Sequence, residues 1–394
     1  MNLLRNIRAL SGRNGKQIAL LVLVGFFMTM IVKTSIFKAT IVEIIQSMQT
    51  VQRYNNDPVY YTRTYQGRKT YLVTWYEMIS FLQKRPWART ADFSQCDYNN
   101  CEITTNRNMA KESDLVLFQG RWMPKSVGFK RPSGQIWVFV DVEPPTIIER
   151  LSKQKKYGLR KFRRDFNWTM TFDKTLADIH LPYGELRKYK KDVVKNYTAI
   201  ALNKRKGALM VVSHCPVDSK RMDYAKKLNE TIDVTVLGSC GTEWDCGRRL
   251  FHDDCFSILN EYAFFLPFEN SLCHQYFTEK LFENFHYDTL FVTRGGLPYE
   301  ASSIFPKGVV IDFDQFESPQ HLGRELKQMM EDKEGYAKRL EMKSQYYSIN
   351  FRESYQRALC DLCYRLNHQD IFYKTIPDIL QILSPKHSCR NMGI

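Results

Sequence analysis

The sequence predicts an α/β protein whose second half is a doubly wound parallel sheet. Three observations carry this. From about residue 205, short apolar runs alternate with helical segments, as in a parallel sheet covered on both faces. The 394 residues suffice for two domains with cores of ordinary size. With 44% hydrophobic and 25% charged residues, the bulk is globular rather than disordered.

The chain opens on a basic segment with Arg5, Arg8, Arg13 and Lys16, followed by the uncharged run "IALLVLVGFFMTMIV", Ile18 to Val32. Continued to Phe37 with Lys33 snorkelling, this run reaches the roughly 20 residues of a membrane span. A cleavable signal peptide is the rival reading. No small-x-small cleavage site follows Val32, so an uncleaved anchor is expected. The basic flank keeps the N-terminus cytosolic and places the rest in the lumen. The predicted organisation is a tail (1–16), a signal-anchor (17–37) and a polar stem (38–65). A short span suits the thinner early secretory membranes. Sequons at Asn167, Asn196 and Asn229 and ten cysteines fit a lumen. Cys96 and Cys101 form one close pair, Cys360 and Cys363 another. A C-x-x-C also serves zinc or redox chemistry, but an oxidising compartment favours structural disulfides.

In the first domain (66–203), "DLVLFQG" (Asp114 to Gly120) and "GQIWVFVDVE" (Gly134 to Glu143) read as buried strands, the second stopped by Pro144-Pro145. The basic run Lys153 to Arg164 reads as a solvated face; a luminal location argues against nucleic acid. In the second domain (204–350), "GALMVVS", "IDVTVLGSCG", "YAFFLPFENS", "DTLFVTRGG" and "GVVIDF" read as strands. A helix is expected over Ser219 to Leu228, another near Thr278, and a third opened by Ser318 as N-cap with Pro319 behind it. No G-x-G-x-x-G or Walker motif is present. The net charge of +15 suits an acidic partner without choosing one.

In open parallel sheets, ligands sit beyond the carboxyl ends of strands. "FENSLCHQYFTEKLFENF", Phe268 to Phe285, places Glu269, Asn270 and Ser271 there, and Thr278, Glu279 and Lys280 at the next helix start. A helix start with a lysine attracts phosphate. Glu279 offers acceptor oxygens to hydroxyls. Phosphate and diol together describe a sugar nucleotide. Arg221, opening the helix after "MVVSHC", would reach a diphosphate as a planar fork; on spacing alone it reads as a surface residue.

The same block closely resembles the signature of the α1,3-fucosyltransferases, roughly FENS-x-x-x-x-Y-x-TEK-x-x-x-N. Phe268, Glu269, Asn270, Ser271, Tyr276, Thr278, Glu279, Lys280 and Asn284 all match. The likeness extends to "VVSHCPVDSKR", "GQIWVFVDVEPP", "FNWTMTF" and "LPYGEL", from about Cys101 to Cys363. The resemblance implies a GT-B-like arrangement of two facing Rossmann-like domains after a single N-terminal transmembrane helix. It implies inverting transfer of L-fucose from GDP-fucose in α1,3 linkage to GlcNAc of N-glycans or related glycoconjugates. Glu143 matches the position of the general base; without the resemblance it reads as a strand-end charge ahead of a Pro-Pro turn. Arg221 and Lys280 would neutralise the departing diphosphate, and Asn270, Tyr276 and Glu279 would orient ribose or fucose hydroxyls. A single-pass type II protein of the Golgi membrane, with its catalytic part luminal, follows.

The resemblance further implies that Cys96 and Cys101 meet Cys360 and Cys363, with individual pairings open, through C-terminal helices (351–394) that return to the first domain. No metal cofactor is expected, with a divalent cation such as manganese only as a stimulant of rate; Asp312 and Asp314 of "DFD" read as structural. Departures from the family pattern are His214 for an Asn, Phe291 and Arg294 in "LFVTRGG", and the absence from "GYAKRLEMKSQYY" of the family's usual Trp. They bear on specificity and rate. They leave a second hypothesis, a non-catalytic luminal protein that binds glycan or GDP on the same fold.

Overall fold

The computed structural model describes residues 64–65, 68–244 and 255–390. The expected tail, the anchor and nearly all of the stem lie outside the described residues. Among the described residues, no helix is long and apolar enough to cross a membrane. At the end of the expected stem, Thr64–Tyr65 already pairs antiparallel with Arg68–Lys69.

The first sheet has six parallel strands: β1 (Tyr71–Glu77), β2 (Cys101–Thr104), β3 (Leu115–Gln119), β4 (Ile136–Val140), β5 (Trp168–Thr171) and β6 (Ile179–His180). Their order is β2-β1-β3-β4-β5-β6. β3 and β4 are the two strands expected from sequence. Every residue of both is buried, as a central strand covered on both faces requires. After β4 the chain does more than stop. Pro144 caps a helix, α1 (Pro145–Ser152), in which Pro145 takes the first turn, where its missing N–H leaves nothing unpaired.

Next comes β7 (Glu185–Lys188), which stands outside the first sheet. The second sheet follows, with β8 (Lys206–Val211), helix α2 (Arg221–Leu228), β9 (Val234–Leu237), β10 (Tyr262–Phe265), helix α3 (Glu279–Phe282), β11 (Leu290–Thr293) and β12 (Ile311–Asp312). All five strands are parallel, in the order β9-β8-β10-β11-β12. The order reverses between β8 and β10, so the crevice beyond their carboxyl ends is where a ligand is expected.

Helices α4 (Pro319–Glu331) and α5 (Lys333–Ser344) cover this sheet. The expected cap holds: the Ser318 side chain accepts the His321 N–H at 3.1 Å. Three expectations shift. α2 begins at Arg221 rather than Ser219, because Lys220 sits in the left-handed region at φ 50°. "GVVIDF" contributes only two strand residues. The helix near Thr278 is a single four-residue turn, which leaves the helix dipole little part in attracting an anion.

The C-terminal part returns to the first sheet. β13 (Tyr346–Ile349) pairs antiparallel with β7, and α6 (Phe351–Asn367) packs into the core under β1. The Trp75 indole donates to the Tyr355 hydroxyl at 2.9 Å, and that hydroxyl donates to Ala88 O at 3.1 Å. Disulfides Cys96–Cys360 and Cys101–Cys363 fasten α6 to the first lobe. Cys215–Cys240 and Cys273–Cys389 lie by the second sheet.

The Cys101–Cys363 bridge spans 262 residues. Because Cys96–Cys360 already closes nearly the same loop, the second bridge closes only the short ring between the two pairs and restricts the unfolded chain by about 3 kcal/mol in the chain-entropy model. Replacing both cysteines with serine is expected to lower the thermal midpoint by at least ~5 °C by calorimetry. An unchanged midpoint would show that the bridge contributes nothing the packing of α6 does not.

Candidate active site

A cleft of about 1280 Å³ lies beyond the carboxyl ends of both sheets. From the first lobe it is lined by Arg121, Trp122, Glu143 and Tyr183, and from the second by Arg221, Asn270, Tyr276, Glu279 and Lys280. Every catalytic and donor-site residue expected from sequence therefore borders one space.

Glu143 follows the buried end of β4. Asp141, fully buried, accepts the Glu143 N–H on one oxygen (3.1 Å) and the Arg121 N–H on the other (2.9 Å). Burial pushes the Asp141 carboxyl up, opposed by Arg121 beside it. The Arg121 guanidinium contacts Glu143 Oε1 at 2.6 Å, while the Glu143 side chain stays 25% exposed to the cleft. Arg121, the second residue after β3, thus orients the carboxylate that the sequence singles out. Sequence reasoning missed it, since an arginine after a strand reads as an ordinary surface charge.

The facing wall is built on a buried carboxylate. Glu269 accepts the Thr278 N–H (2.8 Å), the Thr278 hydroxyl (3.1 Å) and the Lys280 ammonium (2.8 Å). Lys280 also reaches the Thr278 hydroxyl at 2.9 Å and lies 3.9 Å from Glu279. Burial alone would push the Lys280 amine down. Glu269 and Glu279 outweigh it and hold the amine above its ordinary value, so Lys280 stays cationic. The Glu279 side chain is 47% exposed, open to a ligand's hydroxyls.

Arg221 is buried rather than superficial. Its Nη1 donates to Phe268 O at 2.8 Å and its Nη2 to His214 O at 2.9 Å, but its Nε has no partner in the protein. The Asn270 Oδ1 is likewise buried and unpartnered. Orphan polar atoms on the wall of a cleft are what a bound polar ligand satisfies. His214 serves Arg221 through its backbone carbonyl, so its departure from Asn leaves that contact intact. Tyr276 is almost wholly buried. Its ring packs on Phe172 (5.0 Å) and Tyr183 (6.1 Å), and burial pushes its hydroxyl well above the usual range. It acts first as a wall between the lobes.

The two lobes are tied to each other next to the cleft residues. The Thr146 hydroxyl, three residues after Glu143, lies 2.9 Å from the Ser271 hydroxyl, one residue after Asn270. The Tyr183 hydroxyl donates to Val142 O at 2.7 Å. Gly184 permits this closeness: a Cβ there would lie 2.4 Å from Phe282 Cγ and 2.5 Å from Ile349 O.

Other expected residues fall elsewhere. Phe291 and Arg294 are buried outside the cleft. Arg294 Nη1 donates to Ser219 O at 2.7 Å and its guanidinium stacks on Tyr224, 4.6 Å from the ring centre. Asp312 accepts the Ser302 N–H and hydroxyl, and Asp314 forms a bidentate pair with Arg390 at 2.8 Å. Among the sequons, Asn196 and Asn229 are exposed. Asn167 is a correction: it is buried, its oxygen accepts the Trp137 N–H (3.0 Å) and an Arg131 guanidinium, and its nitrogen donates to Lys374 O (2.7 Å). An amide so placed is closed to glycosylation in the folded protein.

The chain matches two family models: "Fucosyltransferase, N-terminal" over residues 67–184 and "Glycosyltransferase family 10 (fucosyltransferase) C-term" over residues 201–382. Glycoprotein 3-alpha-L-fucosyltransferase A of Drosophila melanogaster is 32% identical over 249 residues, 62% of this chain and 47% of that protein, so the match spans about half of that relative. Alpha-(1,3)-fucosyltransferase C of the same organism is 31% identical over 310 residues, covering 72% of this chain and 68% of that protein. A crystal structure of an alpha1,3-fucosyltransferase with GDP-fucose superposes with a TM-score of 0.50 at 17% identity, over 77% of this chain and 92% of that one, a likeness of fold.

Two outcomes are expected at this site. Lys280→Met strands the buried Glu269 carboxylate and lowers unfolding free energy by about 3 kcal/mol in denaturant titration; the double variant with Glu269→Gln recovers part of the loss. The second concerns Lys343, which also lines the cleft and donates to Phe285 O (2.5 Å) and Tyr287 O (2.8 Å). Burial pushes its amine down to about 7. Between that value and the unfolded value near 10.5, the unfolded chain binds the extra proton, so stability rises with pH. From pH 7 to 9 this group adds about 2 kcal/mol to the unfolding free energy. The gain should be smaller by that amount in Lys343→Met, and an equal gain in both proteins would contradict the assignment.

Proposed function

The chain belongs to glycosyltransferase family 10, the fucosyltransferases, and on that premise we propose that it transfers L-fucose from GDP-fucose, in α1,3 linkage and with inversion, to a GlcNAc hydroxyl of a glycoprotein N-glycan or related glycoconjugate. The observation that carries the proposal is the pairing of two walls on one cleft: an arginine-oriented carboxylate, Glu143, and a cationic group, Lys280, flanked by the orphan atoms of Arg221 and Asn270.

The chemistry follows from that placement. Glu143 takes the proton of the acceptor hydroxyl as its oxygen attacks fucose C1. The bond from C1 to the β-phosphate oxygen breaks on the opposite side, and GDP leaves with the electron pair, inverting the anomeric carbon. Charge accumulates on the diphosphate, where Lys280 and Arg221 stabilise it more in the transition state than before it. These two cations supply the charge that a metal ion supplies in metal-bridged transferases. Glu279 and Asn270 offer oxygens to ribose or fucose hydroxyls. The apolar run 17–37 would hold the protein in the Golgi membrane with this cleft in the lumen. Four disulfides among the described residues and the exposed sequons at Asn196 and Asn229 support that placement.

The test is GDP release and product mass spectrometry with GDP-fucose and a panel of GlcNAc-bearing glycans. Glu143→Gln is expected to lower kcat by roughly 10²-fold or more with KM for GDP-fucose little changed, because it removes the proton acceptor and not the donor contacts. GDP-fucose binding without turnover on any acceptor would instead support a non-catalytic glycan- or GDP-binding role.

A further inference from the structure

One departure from the family pattern is buried with its charge unanswered. Arg294 follows β11, outside the cleft, with 1% of its surface exposed. Its Nη1 donates to Ser219 O, whereas Nε and Nη2 have no partner in the protein. Nε and Nη2 form one edge of the guanidinium, the side-on fork that grips an anion with two hydrogen bonds. Burial pushes the guanidinium down to about 10, and the charge of Arg390 acts in the same direction, so Arg294 is still cationic at neutral pH.

Its neighbours carry orphan donors of their own. The Tyr224 ring lies against the Arg294 guanidinium, 4.6 Å from ring centre to the guanidinium carbon, and the Tyr224 hydroxyl is buried without a partner. Arg294 and Arg390 both lie over the Phe313 ring, 5.1 and 4.9 Å from its centre. Arg390 commits Nη1 and Nη2 to Asp314 at 2.8 Å each, and its buried Nε is unpartnered. Asp314 thus answers Arg390, while Arg294 forms no ion pair among the described residues. A buried cation with unpaired donors is costly unless an anion meets it.

We propose that Arg294, Tyr224 and Arg390 hold a small monovalent anion such as chloride, gripped by the Arg294 fork and met by the Tyr224 hydroxyl and Arg390 Nε. One negative charge suffices, because Asp314 already balances Arg390. The burial of Arg294 and Tyr224 excludes a large ion. The site supports the cleft from behind. Arg294 O accepts the Glu269 N–H at 3.0 Å. Ser219, held by Arg294 Nη1, donates its hydroxyl to Glu269 O at 2.6 Å and its N–H to Asn270 O at 3.0 Å. The bound anion steadies the segment that carries Glu269 and Asn270.

The experiment exchanges sodium gluconate, whose anion is too large for the site, for sodium chloride around the full chain at a fixed ionic strength of about 0.2 M. The thermal midpoint is expected to rise by about 4 °C along a saturating curve. In Tyr224→Phe, which keeps the ring and removes one donor, the half-saturating chloride concentration rises by about tenfold. Bromide soaked into crystals of the parent protein is expected to give an anomalous peak within hydrogen-bonding reach of Arg294 Nε. A midpoint indifferent to the exchange overturns the proposal, as does an identical chloride curve in parent and variant. A bromide peak absent from Arg294 also overturns it, and the orphan donors are then met by water. Should Tyr224→Phe fail to fold, the bromide peak decides. None of these readouts needs turnover, so the anion site stands or falls separately from the proposed transfer.

Discussion

The hydrogen bond between Thr146 and Ser271 marks the constraint on which the site depends: the segments that follow strands of two separate sheets meet at one seam. On the first lobe, the Pro-Pro start of α1 sets Thr146 just past Glu143. On the second, Ser271 sits just past Glu269 and Asn270. Neither partner touches the proposed chemistry, yet together they fix where a proton acceptor and a cation stand relative to one another. The Tyr183 hydroxyl on Val142 O and the Tyr183–Tyr276 ring contact make the same join from the side.

Glu269 gives the second wall its stiffness. A carboxylate with one percent of its surface exposed is tolerated only because three donors meet it. Those donors are the cap and the first turn of α3, so one buried charge sets the start of the helix, the rotamer of Lys280 and the spacing to Glu279. A four-residue turn has little cooperativity of its own. Its order comes from this carboxylate below and from Phe282 packed against Gly184 behind.

The second sheet was largely legible in the sequence, because strands buried on both faces must be continuous apolar runs and the helices between them carry ordinary caps. Ser318-Pro319 is an instance where the expected cap is the observed one. The six cleft residues were legible through a family signature, and Arg221 and Asn270 have the orphan atoms that give them a physical reason to be there. What spacing could not show was long-range pairing. Arg121 and Glu143 are brought together by adjacent strands β3 and β4, and no local pattern marks either as the other's partner. The burial of Asn167 was hidden for a related reason: it is decided by Arg131, Trp137 and Lys374, all remote from it in sequence. Arg294 reads from sequence as a departure that bears on specificity and rate, whereas the fold turns it inward against Tyr224.

Helix α6 comes from the last tenth or so of the sequence, yet it fills the space beneath β1, the first strand of the large sheet, and two disulfides lock it there. During synthesis, Trp75 waits for Tyr355, 280 residues further on, before their hydrogen bond can form. The second lobe, whose strands and helices are contiguous from β8 to α5, is free to condense before that. Loss of α6 therefore injures the first lobe, which is remote from it in sequence but packed against it and bonded to it.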